Sequence, residues 1–422
     1  MRDGGSGSDG GVDGLDKETS VKGLDEESSV GPRGRFGSLT RRLSLRGQPR
    51  KRRWAVVGGA VVVLAAGVSL PLALADSGHD KPCWRLPDSK RALADDATAA
   101  TRALDPGEDL ERLGSVRKLL AHEKVCDDGA RVLGEIVNTA TRAKSSGAPH
   151  TLAQARGAYA VAAVLHNAEI PDGLAPGVAR MLAEYVVDAG RDSSLGDDDA
   201  NRPAVPDEEA RLDPNGYSPY GRFLAAGEAH VVFEHSDSYA EADANIEYLV
   251  AELAKDPEAF AILYDAERAH FAYYLERLTD SGGDPDFRPS TDKRFESTPQ
   301  DWPDNDLQDM SGRIGNLMKY RAAYVRNGTI PDLAAFDKAV REHTRGTFRP
   351  ASRQLDDRPP MGDIADRKPA GPVRGDLMDG RHQLFTVLEG WAEERNVSAE
   401  RTAAMRQLVD DWYVRALWMT IY

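Results

Sequence analysis

The chain has 422 residues and a formal net charge of −15 at pH 7. This length is enough for one large or two smaller domains, each with a real hydrophobic core. The acidic balance argues against a nucleic-acid-binding surface, because such a surface needs clustered Lys and Arg to neutralise phosphates. We therefore expect no nucleic-acid partner.

The first 53 residues are predicted to be a disordered tail. Residues 1–31 are rich in Gly, Ser, Asp and Glu, and such a composition buries too little apolar surface to offset the entropy of the chain. Residues 32–54 carry nine Arg and Lys residues and no acid. Because this basic block adjoins an apolar segment, anionic lipid is its expected partner.

The apolar segment is Trp54–Ala75, a run of 22 residues without a charge. At about 1.5 Å per residue, a helix of this length spans about 33 Å, which matches the hydrocarbon core of a bilayer. Four basic residues precede it at 50–53 and Asp76 follows it. Since basic flanks stay in the cytoplasm, the segment predicts a single transmembrane helix over 54–75, with 1–53 cytoplasmic and the remainder extracytoplasmic.

A cleaved signal peptide is the alternative interpretation of the same segment. Pro71 and the sequence Ala73-Leu74-Ala75 before Asp76 are typical of a cleavage site for a signal peptidase. Cleavage after Ala75 would release the protein, whereas an uncleaved segment would anchor it in the cell membrane. In both cases the larger, C-terminal part lies beyond the membrane.

Two cysteines, Cys83 and Cys126, follow the apolar segment. An even number of cysteines in an oxidising compartment predicts a disulfide, and two cysteines allow only one pairing. The bridge would close a loop of about 44 residues, which is worth about 4 kcal/mol in the chain-entropy model. Two unpaired buried thiols are the alternative.

Helical signals dominate from Asp88 onward, and no pair of strands is predicted. Asp256-Pro257-Glu258 is a strong helix start, with an acidic N-cap followed by Pro at the first helical position. We predict an all-α fold, with a helical subdomain over 76–192 and a helical domain over 217–422. The predicted helices are 88–104, 106–125, 128–145, 149–168, 174–191, 217–234, 238–255, 257–280, 304–327, 332–345, 376–395 and 398–420, with long loops at 192–216, 281–303 and 346–375.

Three short fragments carry a resemblance to a group of known proteins. They are Met181-Leu-Ala-Glu-Tyr-Val-Val-Asp188, Leu253-Ala-Lys-Asp-Pro-Glu-Ala-Phe260 and Ser311-Gly-Arg-Ile-Gly-Asn-Leu317. Over 174–420 the chain resembles the helical regions of uncharacterised actinobacterial proteins associated with WXG-type secretion and polymorphic toxins. The resemblance implies a helical fold and supplies no catalytic residue.

One helix offers a candidate metal site. Glu267 and His270 form an E-x-x-H pair on the predicted helix 257–280, with Glu267 close to the centre of its apolar face. Glu234 and His230 on the predicted helix 217–234 could approach this pair, as ligands on facing helices do in metal-binding bundles. A di-metal carboxylate site would need a second E-x-x-H, which the sequence lacks. The favoured interpretation is a buried glutamate paired with an Arg or Tyr side chain.

An acidic stretch offers a second, weaker metal pattern. Asp197, Asp199, Asn201 and Glu208 occupy positions 1, 3, 5 and 12 of an EF-hand-like loop. Arg202 stands where that loop needs glycine, so a solvated acidic loop is favoured over a calcium site. No hydrolase elbow, P-loop, zinc-protease or dinucleotide motif follows a suitable strand.

These patterns support two function hypotheses. The first is a membrane-anchored, non-enzymatic helical module that binds a protein or cell-envelope partner outside the membrane, without a cofactor. The second is a metal- or ligand-binding helical enzyme that uses Glu267 and His270.

Overall fold

A computed structural model describes residues 83–145, 148–190, 202–212, 216–218, 220–233, 244–278, 304–344 and 381–418. These residues all belong to one compact unit within Ser77–Tyr422. The predicted tail 1–53 and the predicted transmembrane helix 54–75 lie outside the described residues. Among the helices that the structure describes, none is both long enough and apolar enough to cross a membrane.

Seven helices make up the N-terminal part of the described chain, with a 3-10 turn at Ala92–Asp95. They are α1 (Asp88–Arg91), α2 (Ala97–Leu104), α3 (Leu113–Leu120), α4 (Gly129–Thr141), α5 (Leu152–Leu165), α6 (Ala175–Glu184) and α7 (Val186–Ala189). The expected helix 106–125 is thus shorter, because the left-handed backbone at Gly107 and Leu110 (φ 87° and 57°) does not fit a helix before α3.

Six helices follow in the C-terminal part that the structure describes. They are α8 (Ile246–Leu253), α9 (Pro257–Arg277), α10 (Asp304–Asn327), α11 (Leu333–His343), α12 (His382–Glu394) and α13 (Ala399–Trp418). The predicted start at Asp256 is confirmed, since its side chain accepts a hydrogen bond from the Ala259 backbone at 2.8 Å. The predicted all-α class is confirmed in its coarse form, because the described chain is mostly helical with few strands.

The predicted helix 217–234 is wrong, because this region forms short strands. The strands are β1 (Ala204–Val205), β2 (Tyr217–Ser218), β3 (Gly221–Arg222) and β4 (His230–Val231). β1 pairs with β4, and β2 with β3, both antiparallel. The physical reason is glycine: Gly216, Gly221 and Gly227 all have positive φ, which a right-handed helix does not accommodate.

The predicted disulfide between Cys83 and Cys126 is confirmed. Beside it, the Trp84 backbone donates to the Lys124 carbonyl, and the Cys126 backbone donates to the Trp84 carbonyl, both at 2.8 Å. The Trp84 ring also stacks on His122, with the ring centroids 3.7 Å apart. The bridge therefore fastens the first described residues to the turn that precedes α4.

One continuous core joins the two expected helical regions, 76–192 and 217–422. Its central element is α9, which is buried on nearly all sides and packs against α6, α10, α11 and α12. A helix surrounded in this way needs no polar face, so its apolar residues are not confined to one stripe. The most extensive contact between two described helices is that of α10 with α13. There Gly315 faces the Tyr413 carbonyl so closely that a Cβ would lie 2.7 Å from it.

Candidate functional site

A half-open cleft of about 1380 Å³ lies among the described residues. Its walls come from the end of α4, from α6 and α7, from the segment between β3 and β4, and from α9. Its ionisable lining residues are Arg142, His150, Arg180, Glu184, Tyr185, Asp188, Glu228, His230, Glu258, Tyr273, Arg277 and His343.

His150 lies on the floor of the cleft, directly before the residue that caps α5. Its Nδ1 and its backbone nitrogen both bond the same oxygen, Oε2 of Glu228, at 2.6 and 3.1 Å. Its Nε2 is buried, makes no hydrogen bond among the described residues and lies 3.5 Å from Oε2 of Glu184. Burial lowers the pKa of His150, but Glu184 and Glu228 together raise it to about 9. The ring is therefore an imidazolium at neutral pH.

His230 forms a second histidine–carboxylate pair in the same wall. Its Nδ1 lies 2.9 Å from Oδ1 of Asp188, and its Nε2 lies 3.0 Å from the Ala225 carbonyl oxygen. Both partners are acceptors, so the two ring nitrogens each carry a proton and the ring is charged. Burial alone would lower the pKa of His230, but the attraction of the Asp188 carboxylate raises it. On balance, the pKa of His230 lies above its usual value. The other Asp188 oxygen accepts the Val231 backbone N–H at 3.0 Å.

Two tyrosines hold the cleft walls together. The Tyr185 hydroxyl donates to the Thr141 carbonyl, and the Tyr273 hydroxyl donates to the Phe223 carbonyl, each at 2.8 Å. Burial raises the pKa of both phenols. Both tyrosines therefore stay protonated and act as structural donors at neutral pH.

The predicted pair Glu267 and His270 lies together on α9, but a guanidinium joins the two side chains. Nε of Arg313 donates to Oε2 of Glu267 at 3.0 Å, and its Nη2 donates to Nδ1 of His270 at 3.3 Å. A Cβ at Gly190 would lie 2.6 Å from the His270 ring, so this close approach requires glycine. Burial and the Arg313 charge hold the pKa of His270 well below its usual value. The favoured interpretation, a buried glutamate paired with an arginine, matches this geometry.

The four residues predicted as metal ligands are not assembled into a site by the described chain. His230 bonds Asp188 instead, and Glu234 lies outside the described residues. Among the residues that the structure describes, no three His, Cys, Asp or Glu side chains are grouped so that they could hold a metal ion. Of the EF-hand-like pattern, Asp197, Asp199 and Asn201 also lie outside the described residues.

The sequence singles out one cleft histidine, His230, and only as a metal ligand, because the partners that meet in the cleft are far apart in the chain. His150 and Glu228 are separated by 78 residues, and Asp188 and His230 by 42. No motif spacing connects such pairs, and only the fold brings them together.

No protein-family model, curated protein or solved structure matches this chain. The resemblance of 174–420 to actinobacterial secretion-associated proteins therefore stays a prediction. One of its fragments, Met181–Asp188, contributes Glu184, Tyr185 and Asp188 to the cleft.

Proposed function

We propose that this protein is a membrane-anchored, non-enzymatic module whose extracytoplasmic helical body binds a protein or envelope partner in the cleft. The observation that carries the proposal is the cleft itself, a cavity of about 1380 Å³ in which His150 is already bonded to Glu228 and His230 to Asp188. A site built in this way recognises a partner with fixed charges and hydrogen-bonding groups.

The state of the cleft histidines favours binding over turnover. A general base at neutral pH must be unprotonated when the substrate arrives. The imidazolium of His150, with a pKa of about 9, already holds its protons. Asp188 is occupied by both His230 and the Val231 backbone, so its carboxylate is also engaged.

Two features support a position outside the cell membrane. The uncharged segment 54–75 has the length of a bilayer span and a basic cytoplasmic-type flank. The disulfide between Cys83 and Cys126 is the type of bond that persists in an oxidising compartment. Protease added to intact protoplasts should remove an epitope placed after Tyr422 and spare one placed before Met1. Protection of both ends, or the reverse pattern, would reject this topology.

The binding role of the cleft is testable by site-specific cross-linking in the native host. A photoreactive amino acid at Ala226, an exposed residue of the cleft, should give an adduct of higher mass on irradiation. The control is the same amino acid at Ser115, which is exposed on α3 and outside the cleft lining. Absence of an adduct at Ala226, or equal adducts at both positions, would contradict the proposal.

A further inference from the structure

The charges that line the cleft are unequally paired. Each of its four carboxylates faces a cation within the described chain: the acids contact His150, His230 or Arg180. By contrast, Arg142 and Arg277 have no carboxylate contact among the described residues. With His150 and His230 protonated, these two rings and the three lining arginines give five cations against four carboxylates, and among the described residues Arg142 and Arg277 are the arginines without a carboxylate partner.

Arg142 combines a fixed backbone with an exposed side chain. It is the C-cap of α4, where its N–H donates to the Asn138 carbonyl at 3.1 Å and its own carbonyl accepts the Gln154 amide. The side chain is exposed and makes no hydrogen bond or ion pair with the described residues. The backbone of Arg142 is thus fixed at the cleft, and all five N–H donors of its guanidinium can bond a ligand there.

Arg277 is held in place by an aromatic ring rather than by an acid. Its guanidinium carbon lies 3.2 Å from the centroid of the Tyr273 ring, and its Nη1 donates to the Tyr273 carbonyl at 3.2 Å. The Tyr273 hydroxyl in turn donates to Phe223, so that the ring is itself fixed. This arrangement orients the guanidinium, which makes no ion pair with a carboxylate among the described residues.

The size and the lining of the cleft indicate what kind of ligand fits it. A volume of about 1380 Å³ exceeds the roughly 300–1,000 Å³ of pockets that hold a single small molecule. Apolar side chains, including Ala183, Leu224 and Ile262, lie among the charged ones. The cleft therefore suits an extended ligand that carries separated charges and small apolar groups.

We propose that the cleft binds an acidic peptide segment whose carboxylates pair with Arg142 and Arg277. This inference rests on the proposed function, because it specifies the partner of the same cleft. A guanidinium pairs with a carboxylate through two parallel hydrogen bonds, which gives both affinity and orientation. The acidic surface elsewhere on the body is screened over about 8 Å at physiological ionic strength, so the charges inside the cleft dominate recognition.

A peptide fits these walls better than an acidic sugar chain. Sugars are commonly held against open aromatic faces, and the two tyrosines of the cleft offer none. The Tyr185 ring contacts His150 at a centroid distance of 4.5 Å, and the Tyr273 ring carries Arg277. In a peptide, a Glu side chain can pair with a cleft arginine, and an Ala side chain can pack on the small apolar surfaces of the lining.

Fluorescence anisotropy with the full-length chain in detergent micelles tests the proposal. The probes are fluorescein-labelled ten-residue peptides of repeating Glu-Ala, Gln-Ala and Lys-Ala. Only the Glu-Ala peptide should bind. Arg142→Ala, at an exposed position that does not support the fold, should weaken binding about 5- to 10-fold, as expected for one charge-assisted hydrogen-bonded contact. Arg277→Ala should weaken it by a similar factor, and Arg277→Lys by less.

The matched control is Arg102→Ala on α2. Arg102 is exposed, has no ion pair among the described residues and lies outside the cleft lining, so its loss should leave the dissociation constant unchanged. Equal binding of the Gln-Ala peptide, or equal weakening by Arg102→Ala, would overturn the proposal. Binding of an oligouronate that depends on Arg142, without binding of the Glu-Ala peptide, would replace the peptide by an acidic sugar chain.

Failure of the inference and failure of the proposed function give different results. If the Glu-Ala peptide does not bind but the cross-link at Ala226 forms, the cleft has a partner of another chemistry, and only the inference is wrong. If neither is observed, both are wrong.

Discussion

Two buried histidines in this protein experience opposite electrostatic environments. His150 lies between Glu184 and Glu228, which raise its pKa to about 9. His270 is buried to a similar degree, but its neighbour is the Arg313 guanidinium, and its pKa lies well below the usual value. Burial lowers the pKa of both rings, so the sign of the net shift is decided by the charge of the neighbour.

The difference also separates the roles of the two regions. In the cleft, charged histidines hold together chain segments that are far apart, and they border an open cavity. Around His270, the ring accepts a hydrogen bond from Arg313, and the same guanidinium reaches the Gly190 carbonyl at 3.4 Å. The first cluster borders the open cleft, whereas the second joins α9, α10 and the end of α7.

The largest expected effect is a loss of folding stability above neutral pH, caused by His150. A histidine whose pKa is raised in the folded state stabilises the fold fully below its unfolded pKa of about 6.5, and this contribution is lost as the pH rises through the folded value. A rise of the His150 pKa from 6.5 to about 9 corresponds to about 3 kcal/mol. The contribution of His150 to the free energy of unfolding should therefore fall by about 3 kcal/mol between pH 6.5 and 9, and the raised pKa of His230 should add to the fall that urea denaturation measures.

The Glu228→Gln variant isolates this effect. It keeps the size of the side chain and removes the charge that bonds His150, so the fall above pH 6.5 should become much smaller than in the parent chain. A parent chain whose stability is flat from pH 6.5 to 9 would contradict the charged state assigned to His150.

The second effect, of about 2 kcal/mol, concerns Arg313. Replacing it by Met leaves the Glu267 carboxylate, which is 13% exposed, without its partner at 3.0 Å. Breaking a buried ion pair costs about 3–5 kcal/mol, and the partial exposure of both side chains reduces that figure. Urea denaturation at pH 7 should show the loss, and a second change, Glu267→Gln, should recover part of it. A loss below about 0.5 kcal/mol would mean that the pair does not stabilise the α9–α10 contact.

The sequence predicts the cluster around Glu267 and His270 better than it predicts the cleft. Glu267 and His270 are one helical turn apart, so periodicity alone placed both on the buried side of α9 and predicted a partner for the acid. The helix α10 was predicted at its observed bounds, 304–327, because its pattern is long and its flanks are polar. The disulfide was predictable because two cysteines allow a single pairing.

The cleft could not be predicted, because its pairs form only when distant segments meet. The region 217–234 has helix-like apolar spacing, but Gly216 directly before it and Gly221 and Gly227 within it adopt positive φ and turn the chain into strands. That local choice places Glu228 beside His150 and His230 beside Asp188. Periodicity describes one segment at a time, whereas this site depends on the conformation of glycine and on contacts across 42 and 78 residues.

The third effect is a loss of stability as the pH falls, which is the opposite pH dependence to that of His150. Because the pKa of His270 is lowered in the folded state, the unfolded chain binds the proton more readily below pH 6.5, and stability is lost as the pH falls. The loss should be about 1 kcal/mol between pH 6.5 and 5.5, since one pH unit corresponds to 1.36 kcal/mol per proton. Carboxylates also titrate here, so the measurement is the difference in pH slope between the parent chain and His270→Gln. Equal slopes would show that His270 does not remain neutral in the fold.

The smallest effect concerns Glu184, the second carboxylate next to His150. Its side chain is 43% exposed and its Oε2 lies 3.5 Å from Nε2 of His150, beyond ordinary hydrogen-bond length. An exposed ion pair contributes about 0.2–1 kcal/mol, so Glu184→Gln should cost less than 1 kcal/mol at pH 7 by urea denaturation. It should also lower the pKa of His150, as followed by its ring proton resonances, by less than Glu228→Gln does. A larger decrease with Glu184→Gln than with Glu228→Gln would contradict this expectation. The exposed Glu184, rather than the buried contact to Glu228, would then determine the charge of His150.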